Sequence, residues 1–207
     1  MRVLVACEFS GIVRDAFKAR GHDAWSCDVL PTERQGNHLQ CDVLEVLDDS
    51  WDLMVAHPPC TYLANSGVHW LHREDGRWEK MREAAQFFKD LLRAPIKKIA
   101  VENPIMHKYA VKIIGRSQTQ CIQPYEFGHP ESKATCFWLK GLPKLRPTNV
   151  LPPPPSGHWE NQTPSGRNAV PPSEDRWKIR SVTYLGVARA MAKQWGNYEG
   201  LFKWFKK

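Results

Sequence analysis

Three short stretches hold the reactive side chains of this chain. In "HPPC", residues 57–60, one cysteine follows two prolines directly and precedes the small-residue turn "TYLANSG". A thiol in that place is a nucleophile, a metal ligand or a packing residue. Taken alone, Cys60 reads first as a small buried hydrophobe. Its setting favours a nucleophile, because Pro58 and Pro59 stiffen the chain and the turn offers free amides to a thiolate. In "ENP", residues 102–104, a carboxylate closes an apolar run, so Glu102 is either a surface acid or a group aimed into a crevice. "EFSG", residues 8–11, is a turn with one glycine ahead of a helical pattern, suited to cradling a cofactor. It lacks the GxGxxG spacing of a nicotinamide or flavin loop. Asp28 and Asp42 end two further short segments, where an acid either caps a turn or accepts ribose hydroxyls and an adenine amine.

These groups need elements that hold them together. "RVLVAC" is a buried strand, and "IVRDAFKARG" puts Ile12, Val13, Ala16 and Phe17 on one helical face closed by Gly21. "HDAWSCDV", "WDLMVAHPP" and "KKIAVENP" read as strands, ended by Asp28, by the two prolines and by Glu102. "RWEKMREAAQFFKDLLRA" is a helix whose apolar stripe is Met81, Ala84, Ala85, Phe88, Leu91 and Leu92, stopped by Pro95. "QTQCIQPYEFG" and "KATCFWLKG" follow as strands, and "VTYLGVARAMAKQW" as a closing helix. Alternating strands and helices predict a mostly parallel, doubly wound α/β sheet. Ligands of such sheets bind beyond the carboxyl ends of the strands, where all three stretches fall.

Composition narrows the class. The chain has 207 residues, 42% of them hydrophobic, enough for one domain with a small appended segment. No apolar run reaches the roughly 18 residues of a membrane span, and the amino end reads as a strand rather than a signal peptide. A cytoplasmic protein is expected. Six cysteines are scattered without a CxxC pair, so free thiols and no structural metal are expected. A net charge of +7 together with nine tryptophans fits a polyanion partner such as DNA or RNA. Between residues 142 and 177 the chain turns proline-rich, with "LPPPPSG", "QTPSG" and "VPPSED". This segment is either a surface loop or a flap facing substrate, with Lys144, Arg146, His158, Trp159 and Arg167 offered to phosphates and bases.

In this order the motifs resemble those of the DNA cytosine-5 methyltransferases, and of small phage-type members among them. "FSGIV" is similar to their first motif, Asp28 and Asp42 to their acidic cofactor contacts, and Pro59-Cys60 to their catalytic loop. Glu102-Asn103 matches their Glu-Asn motif, and "YEFGHPESKATCFWL" resembles the strand pair bearing their arginines. The likeness runs through most of residues 2–140. Val13 stands where a second glycine is usual, Thr61 where glutamine is common and Pro104 where valine is usual. Lys133 and Thr135 stand near the arginines, and the large target-recognition domain is replaced by the proline-rich segment. "HPPC" is also similar to the D/N-P-P-Y/F motif of amino-methyltransferases, but His57 and Cys60 supply neither its acceptor nor its stacking ring.

The resemblance implies a Rossmann-like class I S-adenosylmethionine-dependent methyltransferase fold. Its core would span 1–141 and be completed by 178–207, with 142–177 as the substrate-facing segment. S-adenosyl-L-methionine would be held by Glu8, Phe9, Ser10, Gly11, Ile12, Asp28, Val29, Asp42, Val43 and Pro58. Cys60, Glu102 and Lys133 would be catalytic. Pro59, Asn65, Ser66, Asn103, Lys144, Arg146 and Arg167 would contact the substrate, DNA in duplex or single-stranded form. Two other readings stay open: the same site acting on a free pyrimidine nucleotide or transferring another group, and a silent binding module.

Overall fold

In the computed structural model, which describes residues 1–166 and 168–197, the apolar run at the amino end becomes β1 (Arg2–Ala6). Its residues alternate, Val3 and Val5 entering one apolar cluster and Leu4 and Ala6 the other. A strand buried on both faces belongs to a sheet covered by helices on both sides. β2 (Asp23–Asp28), β3 (His38–Gln40), β4 (Leu53–Ala56) and β5 (Lys98–Asn103) form parallel pairings around it. β7 (Thr135–Lys140) lies antiparallel between β5 and β6 (Gln120–Ile122). Across the sheet the order is β3-β2-β1-β4-β5-β7-β6. This is the mostly parallel, doubly wound, Rossmann-like sheet that the alternation of strands and helices predicts.

α1 (Ile12–Lys18) and α5 (Leu185–Gly196) cover one face through Ile12, Val13, Phe17, Ala188, Met191 and Trp195. α2 (Arg77–Arg93) and α3 (Lys108–Ile114) cover the other through Ala85, Phe88, Leu91, Ala110 and Ile114. The expected stripe of α2 is the buried one, with Ala84 and Leu92 at its margin. The chain reverses direction across the sheet between β1 and β4, which opens a crevice at the carboxyl ends of β1, β4 and β5. No described helix is long and apolar enough to cross a membrane.

Besides short 3-10 turns, the strand β3, the helix α3 and a further helix, α4 (Arg176–Ser181), at the end of the proline-rich stretch, exceed the sequence reading. The first part of that stretch packs beside the sheet edge. Leu145 is buried and exchanges two hydrogen bonds with the Gln120 amide, at 2.8 and 2.7 Å. Asn149 then bridges to Phe127, and Trp159 stacks on Tyr125 with ring centroids 4.6 Å apart.

Candidate active site

β1 ends in a sharp turn, with Cys7 at a left-handed φ of 56°. The turn brings Glu8 under the start of α1. Its carboxylate accepts the Val13 and Arg14 amides at 2.7 and 3.1 Å and the Ser10 hydroxyl at 3.2 Å, and the residue is 5% exposed. Two of the free amides at the start of α1 are thus already occupied by the chain's own acid. Gly11, at φ 70°, is required twice: by the turn, and by the Arg14 guanidinium that a Cβ there would strike. Arg14 was not foreseen as a site residue. Fully buried, it donates to Asp15, Ser26, Thr32 and the carbonyls of Arg34 and Gln35, and so ties the loop after β2 to α1.

β4 and β5 bring the acid and the thiol together. Their register pairs Val55 with Ala100 and Ala56 with Val101, so the next positions, His57 and Glu102, are neighbours at the strand ends. The His57 amide continues the ladder to the Ala6 carbonyl at 2.9 Å, and its Nδ1 lies 3.4 Å from Glu102 Oε2. After the two prolines the chain folds back, and the Leu63 and Ala64 amides both donate to the Cys60 carbonyl, at 3.0 and 2.9 Å. These turn amides therefore serve the backbone of Cys60, not its sulfur. Burial pushes the Cys60 thiol above its ordinary value and the Glu102 carboxylate adds to this; Lys133, Cys60's own amide and Arg180 pull it partly back. The expectation that these amides stabilise a thiolate is corrected accordingly: they are turned to the Cys60 carbonyl.

A cavity of about 130 Å³ is walled by Glu8, Phe9, Ser10, Pro58, Pro59, Cys60, Glu102 and Lys133. All three expected catalytic residues meet in it. Across Cys7 and Pro59 lies a second cavity of about 210 Å³, lined by Asp28, Val29, Asp42 and Val43. The expected cofactor residues thus divide between two adjoining spaces. Each aspartate also caps a turn: Asp28 Oδ1 accepts the Leu30 amide at 2.9 Å and Asp42 Oδ1 the Leu44 amide at 3.0 Å. Val29 presents an apolar side chain that is 69% exposed. Carboxylates beside exposed apolar surface form an acceptor set that fits an adenosine, with ribose hydroxyls to accept from and a base to cover. Ile12 faces elsewhere, lining a larger cleft of about 690 Å³ with His129, Glu131, Asn161 and Tyr184. That cleft adjoins the Cys60 cavity along Lys133, Arg180, Val182 and Thr183, which line both.

The wall made by α4 and the residues after it was not legible in the sequence. Arg180, Ser181, Val182 and Thr183 border the Cys60 cavity. The Lys133 ammonium donates to the Arg180 carbonyl at 2.6 Å, and Lys178 pairs with Glu33 at 2.6 Å. "DRWKIRS" shows no apolar stripe and follows a run of prolines, so only its contacts reveal it as part of the site.

Several expected substrate residues lie outside the Cys60 cavity. Asn65 and Ser66 are exposed on a 3-10 helix, Asn65–His72, where the Asn65 amide donates to the Ile105 carbonyl at 2.8 Å. Asn103 is fully buried, and neither of its amide side-chain atoms has a partner among the described residues. Successive strand residues face opposite ways, so β5 cannot offer Glu102 and Asn103 to the same face. Lys144 and Arg146 border a separate cavity with Lys193 and Gln194, and the Gln194 amide bonds the Arg146 backbone twice at 2.8 Å. The antiparallel run of β7 explains this. Cys136 pairs with Asn103 beside the crevice but Lys140 pairs with Ile99 at the other end, so the chain leaves β7 on the far side of the sheet. Arg167 lies outside the described residues.

No protein-family model matches the chain, and no curated protein matches it. Among solved structures, it is similar to an E. coli prophage protein described as a DNA modification methyltransferase, at 16% identity and a TM-score of 0.44, over 73% of this chain and 52% of that one. It is similar to the Entamoeba histolytica methyltransferase EhMeth at 15% identity and a TM-score of 0.45, over 73% and 57% of the two chains. The S. pombe Dnmt2 methyltransferase matches at 12% identity and a TM-score of 0.45, over 70% and 51%. The chain thus spans little more than half the length of each of these proteins.

Proposed function

We propose that the protein transfers a methyl group from S-adenosyl-L-methionine to carbon 5 of cytosine in DNA, through a covalent adduct on Cys60. The observation that carries this reading is the meeting of Cys60, Glu102 and Lys133 in one cavity that adjoins the cavity of Asp28 and Asp42. Asp28, Val29, Asp42 and Val43 would hold the nucleoside part of the cofactor, and Phe9, Ser10 and Pro58 its other end. When bound, the cofactor supplies an electrophilic methyl group.

Cytosine carbon 5 is too electron-poor to accept that group unaided. The Cys60 thiol loses its proton and adds to carbon 6, which makes carbon 5 enamine-like. Glu102 bonds the ring nitrogen and the exocyclic amine and stabilises the charge that gathers there. The Lys133 and Arg180 charges favour the thiolate when it forms, opposing burial and Glu102. After transfer the carbon 5 proton leaves, its electron pair restores the 5,6 double bond, and the sulfur departs. A base within a duplex has to be flipped out to reach Cys60, and the net charge of +7 favours a polyanion around it.

The cleft of about 690 Å³ that adjoins the Cys60 cavity also suits a second reading, the same chemistry on a free pyrimidine nucleotide. Labelled S-adenosylmethionine offered with duplex DNA, single strands and dCMP separates the two. Label on carbon 5 of DNA cytosine supports the first reading; label in dCMP alone replaces it with the second. Cofactor binding without transfer to any of the three overturns both.

A further inference from the structure

We propose that His57 is a positioning residue that fixes the orientation of Glu102 and so tunes the site to cytosine rather than uracil. The inference rests on the reaction proposed above and concerns a side chain which that reaction does not use.

The strand register places His57 beside Glu102, and the imidazole Nδ1 is 3.4 Å from Glu102 Oε2. The other ring nitrogen, Nε2, is buried and has no hydrogen-bond partner among the described residues. A buried N–H without an acceptor is costlier and rarer than a lone pair without a donor. The proton of the neutral ring therefore belongs on Nδ1, where it is donated to Glu102 Oε2. The charged or titratable side chains that share these cavities are Cys7, Glu8 and Cys60 on one side and Lys133, Arg180 and Tyr184 on the other. None of them makes a hydrogen bond to Glu102, so His57 is its one side-chain partner among the described residues.

Oε2, receiving the imidazole proton, is committed as an acceptor. A proton taken up by Glu102 then resides on Oε1. Glu102 in this form presents one donor and one acceptor in fixed places. Cytosine offers the complement, an acceptor at N3 and a donor at its exocyclic amine. Uracil offers the reverse, a donor at N3 and an acceptor at O4. Sites built on such paired hydrogen bonds discriminate strongly, because the wrong partner leaves buried groups unmatched. Without the imidazole Glu102 is free to turn over and exchange its two oxygens.

The test uses the whole protein with S-adenosylmethionine and short oligonucleotides carrying 5-fluorocytosine or 5-fluorouracil. Fluorine cannot leave carbon 5 as a cation, so the Cys60 adduct persists and is counted by mass spectrometry. Wild type is expected to trap fluorocytosine in preference to fluorouracil. His57→Ala, and His57→Phe as the variant that keeps the ring volume, are expected to trap fluorocytosine at least tenfold more slowly and to lose most of that preference. His57→Gln, whose amide still donates to Glu102, is expected to recover rate and preference to within a few-fold of wild type. A merely structural role predicts recovery by Phe rather than by Gln. Wild-type rates and preference in Ala or Phe overturn the proposal, as does a Gln variant no better than Phe. Failure of the wild type to trap either base at Cys60 overturns the underlying reaction and this inference with it, a result distinct from a His57 variant that traps without preference.

Discussion

Phe9, in the loop that closes β1, and Trp177, in α4, lie with ring centroids 5.9 Å apart. Residues far apart in the chain thus meet beside the Cys60 cavity, which Phe9 lines. α4 is held there by this contact, by Lys178 on Glu33 and by Lys133 on the Arg180 carbonyl. Arg180 and Ser181 at its end border the Cys60 cavity, so its attachment bears on access to the thiol.

Trp177→Ala removes one of these attachments. An aromatic pair contributes about 0.5–1.5 kcal/mol beyond its burial, which corresponds to about a two- to tenfold change in an opening equilibrium. Alkylation of Cys60 by iodoacetamide, followed by peptide mass spectrometry, is expected to speed up by that factor. An unchanged rate means that α4 does not limit access to Cys60.

Glu102→Gln removes the carboxylate that, after burial, most raises the Cys60 thiol. A thiol held above its ordinary value stays protonated as pH rises through that value and ionises only above it. Wild-type alkylation of Cys60 is therefore expected to keep rising with pH after a free thiol in solution has levelled off. In Glu102→Gln the profile is expected to move to lower pH, giving faster alkylation at pH 8 together with loss of methyl transfer. A shift to higher pH, or none, contradicts the electrostatic account.

Asp28 needs two substitutions, because its Oδ1 also caps the Leu30 amide. Asp28→Asn keeps an acceptor for that turn, whereas Asp28→Ala removes both roles. If the carboxylate bonds ribose hydroxyls, Ala is expected to weaken S-adenosylmethionine binding by about 1.5–3 kcal/mol, as for hydrogen bonds to a charged group. Asn is expected to fall between Ala and wild type. Equal calorimetric affinity in all three proteins would leave Asp28 as a turn cap alone.

Glu8→Ala strips two amides at the start of α1 and the Ser10 hydroxyl of their buried acceptor. Loss of such a cap is expected to cost about 2 kcal/mol, seen as a lower urea midpoint with the slope unchanged. Glu8→Gln, which retains one acceptor oxygen, is expected to lose less. Stability equal to wild type in the alanine variant would show that water takes over the cap.

Much of this molecule is local in origin and so was legible in its residues. Alternating apolar strands and the stripe of α2 follow from periods of two and 3.6 residues, which the sequence displays directly. Those elements carry "EFSG", "HPPC" and "ENP" to strand ends, and a doubly wound sheet gathers strand ends at one crevice. The convergence of Cys60 and Glu102 could therefore be anticipated from chain order alone. The upward shift of the Cys60 thiol could not, because it depends on burial and on the Glu102, Lys133 and Arg180 charges, distant in sequence. Nor could the pairing of His57 with Glu102, which needs the register of β4 on β5. Lys144 and Arg146 show the limit most clearly. Composition made them candidates for substrate, but one antiparallel strand, β7, carries the chain past the crevice and sets them on its far side. Strand direction is a property of the assembled sheet, decided by long-range pairing, and nothing in a local run of residues encodes it.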